Sequence, residues 1–374
     1  MKKILFLINS LDGGGAERVL VELVNNLDCT KYEVVVQTIQ QGGKFEKLLR
    51  SGVCRKSIAR TGSLRINKII SYFVQFILPP QMVYRIFVKD NYDVEIAFLE
   101  GFPVKVLAKS NQRNVKKYTW VHIDLYNYYK HQKMFKTIKR NAEAYEKFDK
   151  IFCVSSDVKS AFVKRFGICD NVYVQYNVIN DRAIKKMANE IPEDLHKRGM
   201  DEIKLVSVGR LNPQKGFDRL IRSVADLIRD GYSLYLEIIG EGPLKGELQN
   251  LIEELQLTSR IKLLGFRQNP YPYMKDSDLF VCSSLAEGFS TVATEATILG
   301  VPIISTRVAG MNDLLGDSEY GLIVENDEGS LKNGIKKVLD DNLIGYYKVL
   351  AEKRAHEFTL EKRIQEMNRL FDGQ

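Results

Sequence analysis

Along its 374 residues the chain twice alternates apolar runs of strand length with stretches whose apolar residues recur every three or four positions. That alternation specifies α/β architecture with parallel sheets, because parallel neighbours can be joined only by a long crossover, usually a helix packed on the sheet. In the first half the expected strands are 4–8, 34–39, 94–99, 118–122, 151–155 and 172–176. Ala16, Val19, Leu20, Leu23, Val24 and Leu27 share one face of a helix that follows the first strand across a glycine turn. The second series runs 204–208, 234–239, 261–264, 279–283, 302–305 and 322–324, and Phe217, Leu220, Ile221, Val224, Leu227 and Ile228 make the stripe of its first helix. Residues 180–202 are polar and carry no strand signal, so the linker is expected there. The reading is two Rossmann-like domains facing each other across a cleft, residues 1–185 and 186–355, with a C-terminal helix in 356–374 that packs back toward the first.

Several classes are excluded early. The opening imitates a secretory leader, but its apolar run ends at Asn9, short of the roughly 7–15 residues such a core needs. Nothing reaches the roughly 20 apolar residues of a membrane span; the 69–78 stretch is broken by Ser71 and Gln75 and closed by Pro79 and Pro80. Cys29, Cys54, Cys153, Cys169 and Cys282 are scattered and odd in number, which suits a reduced cytoplasmic protein without a structural metal.

Charge divides by halves. Residues 1–190 hold 32 Lys and Arg against 18 Asp and Glu (+14), the remainder 23 against 29 (−6), giving the overall +8. Positions 47–89 contain Lys47, Arg50, Arg55, Lys56, Arg60, Arg65, Lys68, Arg85 and Lys89 with no acid, interleaved with Ile69, Ile70, Tyr72, Phe73, Phe76, Ile77 and Phe87. Basic and aromatic side chains together suit an anionic membrane surface. An ordinary core helix with a basic outer face is the competing reading. Nucleic acid is not expected, since no recognition helix, zinc spacing or RNP-type motif accompanies the charge.

Four loops carry residues suited to chemistry. Gly13-Gly14-Gly15 precedes the first helix, where exposed N–H groups favour an anion, although Arg18 stands where a dinucleotide fingerprint needs a small residue. The 209–216 loop brings Arg210 and Lys215 to a sheet edge, two cations suited to a diphosphate. Gly240-Glu241-Gly242-Pro243, with Gly246, follows the second strand of its half rather than the first, so a dinucleotide reading there is weak. Residues 287–295 place Glu287 in a loop and Glu295 in a helix expected to begin near Ser290 or Thr291, without a capping box to occupy its first N–H groups. Asp276-Ser277-Asp278 imitates a metal-binding pair but immediately precedes a buried strand, where a polar turn is expected; no metal site is predicted.

These motifs, in this order and over essentially the whole chain, resemble the retaining nucleotide-sugar glycosyltransferases of family 4, which have the GT-B fold. The resemblance rests on Gly13-Gly14-Gly15-Ala16-Glu17-Arg18, Gly209-Arg210-Leu211 with Lys215-Gly216, Gly240-Glu241-Gly242-Pro243, Leu264-Gly265, and Glu287-Gly288-Phe289 through Glu295-Ala296. It implies that Arg210 and Lys215 hold the donor diphosphate, Glu295 the ribose and Glu287 the donor sugar. Gly14, Gly15, Gly288 and the backbone of Phe289, Ser290 and Thr291 would add donor contacts, while Gly240, Gly242, Pro243 and Phe266 would line the base pocket. His122, at a strand end, would reach the donor sugar without acting as a general base; His122, Glu287, Arg210 and Lys215 are the expected catalytic set. The resemblance further implies a UDP-hexose or UDP-N-acetylhexosamine donor, no metal or other cofactor, and a glycan or polyprenyl-linked acceptor. A peripheral position on the cytoplasmic face of the membrane through 47–89 is expected with it. A sugar-nucleotide epimerase, a sugar-phosphate synthase and, more remotely, an NAD-dependent dehydrogenase are the alternatives.

Overall fold

The computed structural model describes residues 1–61, 63–127, 134–199 and 201–373. The chain forms two units, one of residues 1–178 with the segment from Arg363 onward, the other of Ile179–Lys362. Unit 1 holds a parallel sheet of β1 (Lys2–Ile8), β2 (Tyr32–Gln40), β3 (Cys54–Ala59), β4 (Val94–Ala97), β5 (Lys116–Val121), β6 (Lys150–Cys153) and β7 (Val172–Val174) in the order β3-β2-β1-β4-β5-β6-β7. Unit 2 holds β8 (Ile203–Val208), β9 (Leu234–Ile239), β10 (Ile261–Gly265), β11 (Leu279–Cys282), β12 (Ile303–Thr306) and β13 (Leu322–Val324) in the order β10-β9-β8-β11-β12-β13.

In both sheets the strand order reverses beside the first strand, between β1 and β4 and between β8 and β11. Loops leaving such a pair diverge to opposite faces of the sheet and open a crevice at its carboxyl edge, the usual ligand site of this architecture. The glycine turn and residues 98–101 therefore share one such edge; the 209–216 and 283–290 loops share the other. Central strands are buried on both faces, and Ile4 through Ile8 are wholly enclosed.

One strand escaped the sequence. β3 pairs with β2 through Val35↔Cys54 to Gln40↔Ala59 although only Ala59 of it is buried. A sheet edge needs backbone pairing more than side-chain burial, and Arg55 and Lys56 suit it for that reason.

The 180–202 segment differs from the expected linker. Asn180 caps the helix Asp181–Met187, Ile184 and Ala188 are buried, and Asn269 donates to the Met187 carbonyl and to Glu190. Its polar composition hid two apolar anchors that bind it to unit 2. The C-terminal helix Leu360–Asp372 changes unit at Arg363: Phe371 meets Phe6 and Tyr32 edge-on, Lys2 donates to the Phe371 carbonyl at 2.8 Å, and the Arg363 guanidinium lies over Tyr176.

The helix Leu64–Phe76 is inverted relative to a core helix. Asn67, Ser71 and Val74 face inward, and Asn67 exchanges hydrogen bonds with the Thr61 backbone. Ile66, Ile69, Tyr72, Phe73 and Phe76 are exposed, Ile69 at 69%, and Ile77, Met82 and Ile86 extend the apolar surface. The ordinary core-helix reading is thereby corrected. Three of the flanking cations are spent on the fold: Arg50 donates to the Leu27 carbonyl, Arg55 to the Leu49 carbonyl, and Lys56 to Asp90. Arg60, Arg65, Lys68, Arg85 and Lys89 remain exposed.

Candidate functional site

The strongest concentration of charge-bearing chemistry lies at the carboxyl edge of β8 and β11. Leaving β8, the chain turns through Arg210 and a short 3₁₀ segment, Pro213–Lys215, before the helix Phe217–Arg229. Lys215 Nζ lies 2.7 Å from Glu287 Oε1, which also accepts the Ser284 hydroxyl at 2.6 Å. Burial works against the Lys215 charge, but the Glu287 carboxylate outweighs it and raises the ammonium's pKa, so the cation persists. Arg210 is exposed, and its guanidinium has no carboxylate partner among the described residues.

The 283–290 loop is held from behind. Arg219 donates to the Ser283 and Ser284 carbonyls, Gln214 Nε2 to the Ala286 carbonyl at 2.8 Å, and the Leu285 N–H to the Gln214 carbonyl at 2.7 Å. Ser290 is the N-cap of the helix Thr291–Ile298, its hydroxyl accepting from the Ala293 N–H at 3.3 Å. The cap takes the third helical N–H, and the helix itself has no acceptor for the N–H groups of Thr291 and Val292. Glu295 is buried one turn further on, where the Tyr271 hydroxyl donates to it at 3.3 Å. The Phe289 ring is buried near Phe358.

Glycines in the neighbouring loop have a specific cause. A Cβ on Gly240, whose φ is +150°, would sit 1.8 Å from the Gly209 carbonyl oxygen; one on Gly242 would sit 2.3 Å from the Leu211 carbonyl oxygen. The loops after β8 and β9 are thus in backbone contact, which positions Arg210 against the second loop. Pro243 and Phe266 are exposed beside them. Gly310, which sequence reasoning missed, plays the same part against the Gly288 carbonyl: its Cβ would approach to 2.7 Å.

In unit 1 the glycine turn already has an anion. Glu17 Oε2 accepts from Gly13 N–H at 2.7 Å and Gly14 N–H at 3.0 Å, the reaching-back half of a capping box at the helix Gly15–Asn26. A ligand anion at Gly14 would compete with the chain's own carboxylate. His122 follows β5 and is buried against Phe98, with ring centroids 5.0 Å apart. Burial pulls its pKa down to about 4, opposed by a hydrogen bond with the Phe98 backbone, so the ring is neutral at ordinary pH. That excludes an imidazolium at ordinary pH.

The Asp276-Ser277-Asp278 pair is structural. Asp276 meets the buried Lys204 ammonium at 3.0 Å, Asp278 accepts from Arg198 and from the Lys204 N–H, and Lys204 also pairs with buried Glu237 at 3.0 Å. No cluster of His, Cys, Asp and Glu able to hold a metal occurs among the described residues.

Residues 13–182 match the family described as Glycosyltransferase Family 4, and residues 189–357 the family described as Glycosyl transferases group 1. The chain is 38% identical over 218 residues to the N-acetylgalactosamine-N,N'-diacetylbacillosaminyl-diphospho-undecaprenol 4-alpha-N-acetylgalactosaminyltransferase of Campylobacter jejuni, a match covering 57% of each chain. It is 31% identical over 159 residues to the capsular polysaccharide biosynthesis glycosyltransferase CapM of Staphylococcus aureus, 41% of each. The matches thus span about half the length of these curated relatives. Among solved structures, HepE of Anabaena in complex with UDP and glucose is 20% identical with a TM-score of 0.75, and TarM of S. aureus, in complex with fondaparinux, alpha-GlcNAc-glycerol and UDP, is 15% identical with a TM-score of 0.76. Both cover 100% of this chain and are covered 100% by it. The likeness is one of fold and assigns the two units to the GT-B class.

Proposed function

The chain belongs to the group 1, family 4 glycosyltransferases, and from that premise we propose that it moves a hexosyl or N-acetylhexosaminyl group from a UDP donor to a lipid-linked glycan, with retention and without a metal, in cell-surface polysaccharide synthesis. The observation that carries the reading is the gathering of Arg210, Lys215, Glu287 and Glu295 at one sheet edge of unit 2. Arg210 and Lys215 stabilise the leaving diphosphate together with the Thr291–Ile298 helix N-terminus. Glu295 takes the ribose hydroxyls and Glu287 those of the sugar. In the transfer the anomeric carbon's bond to the diphosphate oxygen breaks, a bond to the acceptor oxygen forms on the same face, and the acceptor's proton leaves with the diphosphate.

The UDP assignment is supported by HepE and TarM, both solved with UDP. The acceptor class is supported by the C. jejuni relative, whose name specifies a diphospho-undecaprenol acceptor and an N-acetylgalactosaminyl group. An acceptor of that kind lies in a membrane. No helix among the described residues is long and apolar enough to cross one, and the outward apolar face of Leu64–Phe76, with Arg65, Lys68, Arg85 and Lys89 about it, is suited to lie on the cytoplasmic surface.

Calorimetric titration with UDP, GDP and NAD of the wild type and of the Arg210→Ala and Glu295→Ala variants tests the reading. Micromolar binding of UDP alone, lost in both variants, is expected. Preference for GDP would move the donor to another nucleotide class, and binding of NAD alone would overturn the proposal.

A further inference from the structure

Glu100 stands three residues beyond β4, and its carboxylate reaches across to the end of β5. Oε1 accepts from the His122 N–H and, at 3.2 Å, from the Ile123 N–H. The β4–β5 ladder has already ended at Ala97↔Thr119. The side chain therefore continues by charge-assisted bonds a connection that the backbones have dropped, at the carboxyl edge where ligands bind.

What those bonds hold is an imidazole with one nitrogen unspent. His122 Nε2 is buried and has no hydrogen-bond partner among the described residues. With the ring neutral and its other nitrogen donating to the Phe98 backbone, Nε2 is an acceptor. A buried acceptor without a donor is costly, and a substrate hydroxyl would satisfy it.

We propose that Glu100 is a positioning residue for sugar transfer: its carboxylate clamps the N–H groups of residues 122 and 123 and so sets His122 Nε2 to receive a substrate hydroxyl. The substrate half of this rests on the transferase reading; the clamp does not. The groups facing Glu100 are His122 just beyond β5, Tyr145 from the helix Ile138–Tyr145 and Cys153 from β6. Burial raises the pKa of both Tyr145 and Cys153, with the Glu100 charge as the next cause, so neither carries charge near neutrality. Burial also pushes Glu100 up to about 7, against the opposing pull of the N–H bonds. Acid therefore removes the clamp's charge just below neutral pH.

The test compares kcat and KM for UDP-sugar in wild type, Glu100→Gln and Glu100→Ala from about pH 5.5 to 8.5 (about ±1.5 units around the Glu100 transition), with UDP affinity by calorimetry. Wild-type kcat should fall on the acid side of about 7. Glu100→Gln should lose that limb and about ten- to a hundredfold in kcat, as expected for weakening charge-assisted bonds, with UDP affinity unchanged; Glu100→Ala should lose more. A Gln variant with wild-type kcat and an unchanged acid limb overturns the proposal, as does a loss confined to KM. Amide NMR reads the clamp without activity: the His122 and Ile123 N–H shifts should titrate with Glu100 in wild type and not in the Gln variant. If they do and no UDP binds, the transferase reading has failed and the clamp has not; if they do not titrate, the clamp is wrong.

Discussion

Lys215 and Glu287 form a 2.7 Å ion pair between the loops that leave β8 and β11, so the cation proposed for a diphosphate is balanced by the carboxylate proposed for a sugar. Lys215→Ala is expected to weaken UDP and UDP-sugar alike by about ten- to a hundredfold, the worth of one charge-assisted bond. Glu287→Gln should leave UDP as tight as before, or tighter, and weaken only the sugar-bearing nucleotide. Calorimetry with the two ligands separates the roles; equal losses of both in Glu287→Gln would contradict them.

Gly240 is a second point of sensitivity. An alanine there would need a φ of +150° and a Cβ 1.8 Å from the Gly209 carbonyl oxygen, so the two loops must part. A lowered Tm and lost UDP binding are expected. Gly246 lies in the helix Lys245–Glu254 with nothing within 4 Å of its would-be Cβ, and Gly246→Ala should be neutral or stabilising by about 0.5–1 kcal/mol.

Membrane docking is expected to depend on the outward face of Leu64–Phe76. Ile69→Glu with Phe73→Glu should abolish co-sedimentation with anionic vesicles, and Arg65→Gln with Lys68→Gln should weaken it in a salt-dependent way. Both pairs belong to unit 1 and the proposed donor residues to unit 2, so UDP affinity should hold. Unchanged sedimentation of the glutamate pair would refute the docking face.

Stability against pH carries opposite signs from two neighbours. Glu100, at about 7 in the fold and about 4.3 unfolded, binds its proton more tightly when folded, so its contribution declines as pH rises from about 4.3 through 7. His122, at about 4 in the fold and about 6.5 unfolded, contributes stability that is lost as pH falls through that window. Between roughly 4.3 and 6.5 the slopes oppose each other. Denaturant titrations of Glu100→Gln should unmask the His122 slope, stability falling toward acid more steeply than in wild type. Parallel curves for the two proteins would mean that Glu100 does not titrate there.

The alternation of apolar runs determined the two parallel sheets, and the loops that follow their strands determined where Arg210, Lys215, Glu287 and Glu295 would gather. Such patterns are local: period, glycine placement and the succession of strands and helices along the chain are written in consecutive residues. What only the tertiary structure decided are relations between distant backbones. Gly240 is glycine because the Gly209 carbonyl approaches it. Glu295 is held by Tyr271 and Ser284 lies on Glu287. Glu100, an unremarked acid in the sequence, clamps the strand end of His122. The helix Leu64–Phe76 has the spacing of a core element, and its periodicity could not reveal which face turns inward. That choice fell to Asn67, whose side chain satisfies the Thr61 backbone and leaves the aromatic face outside.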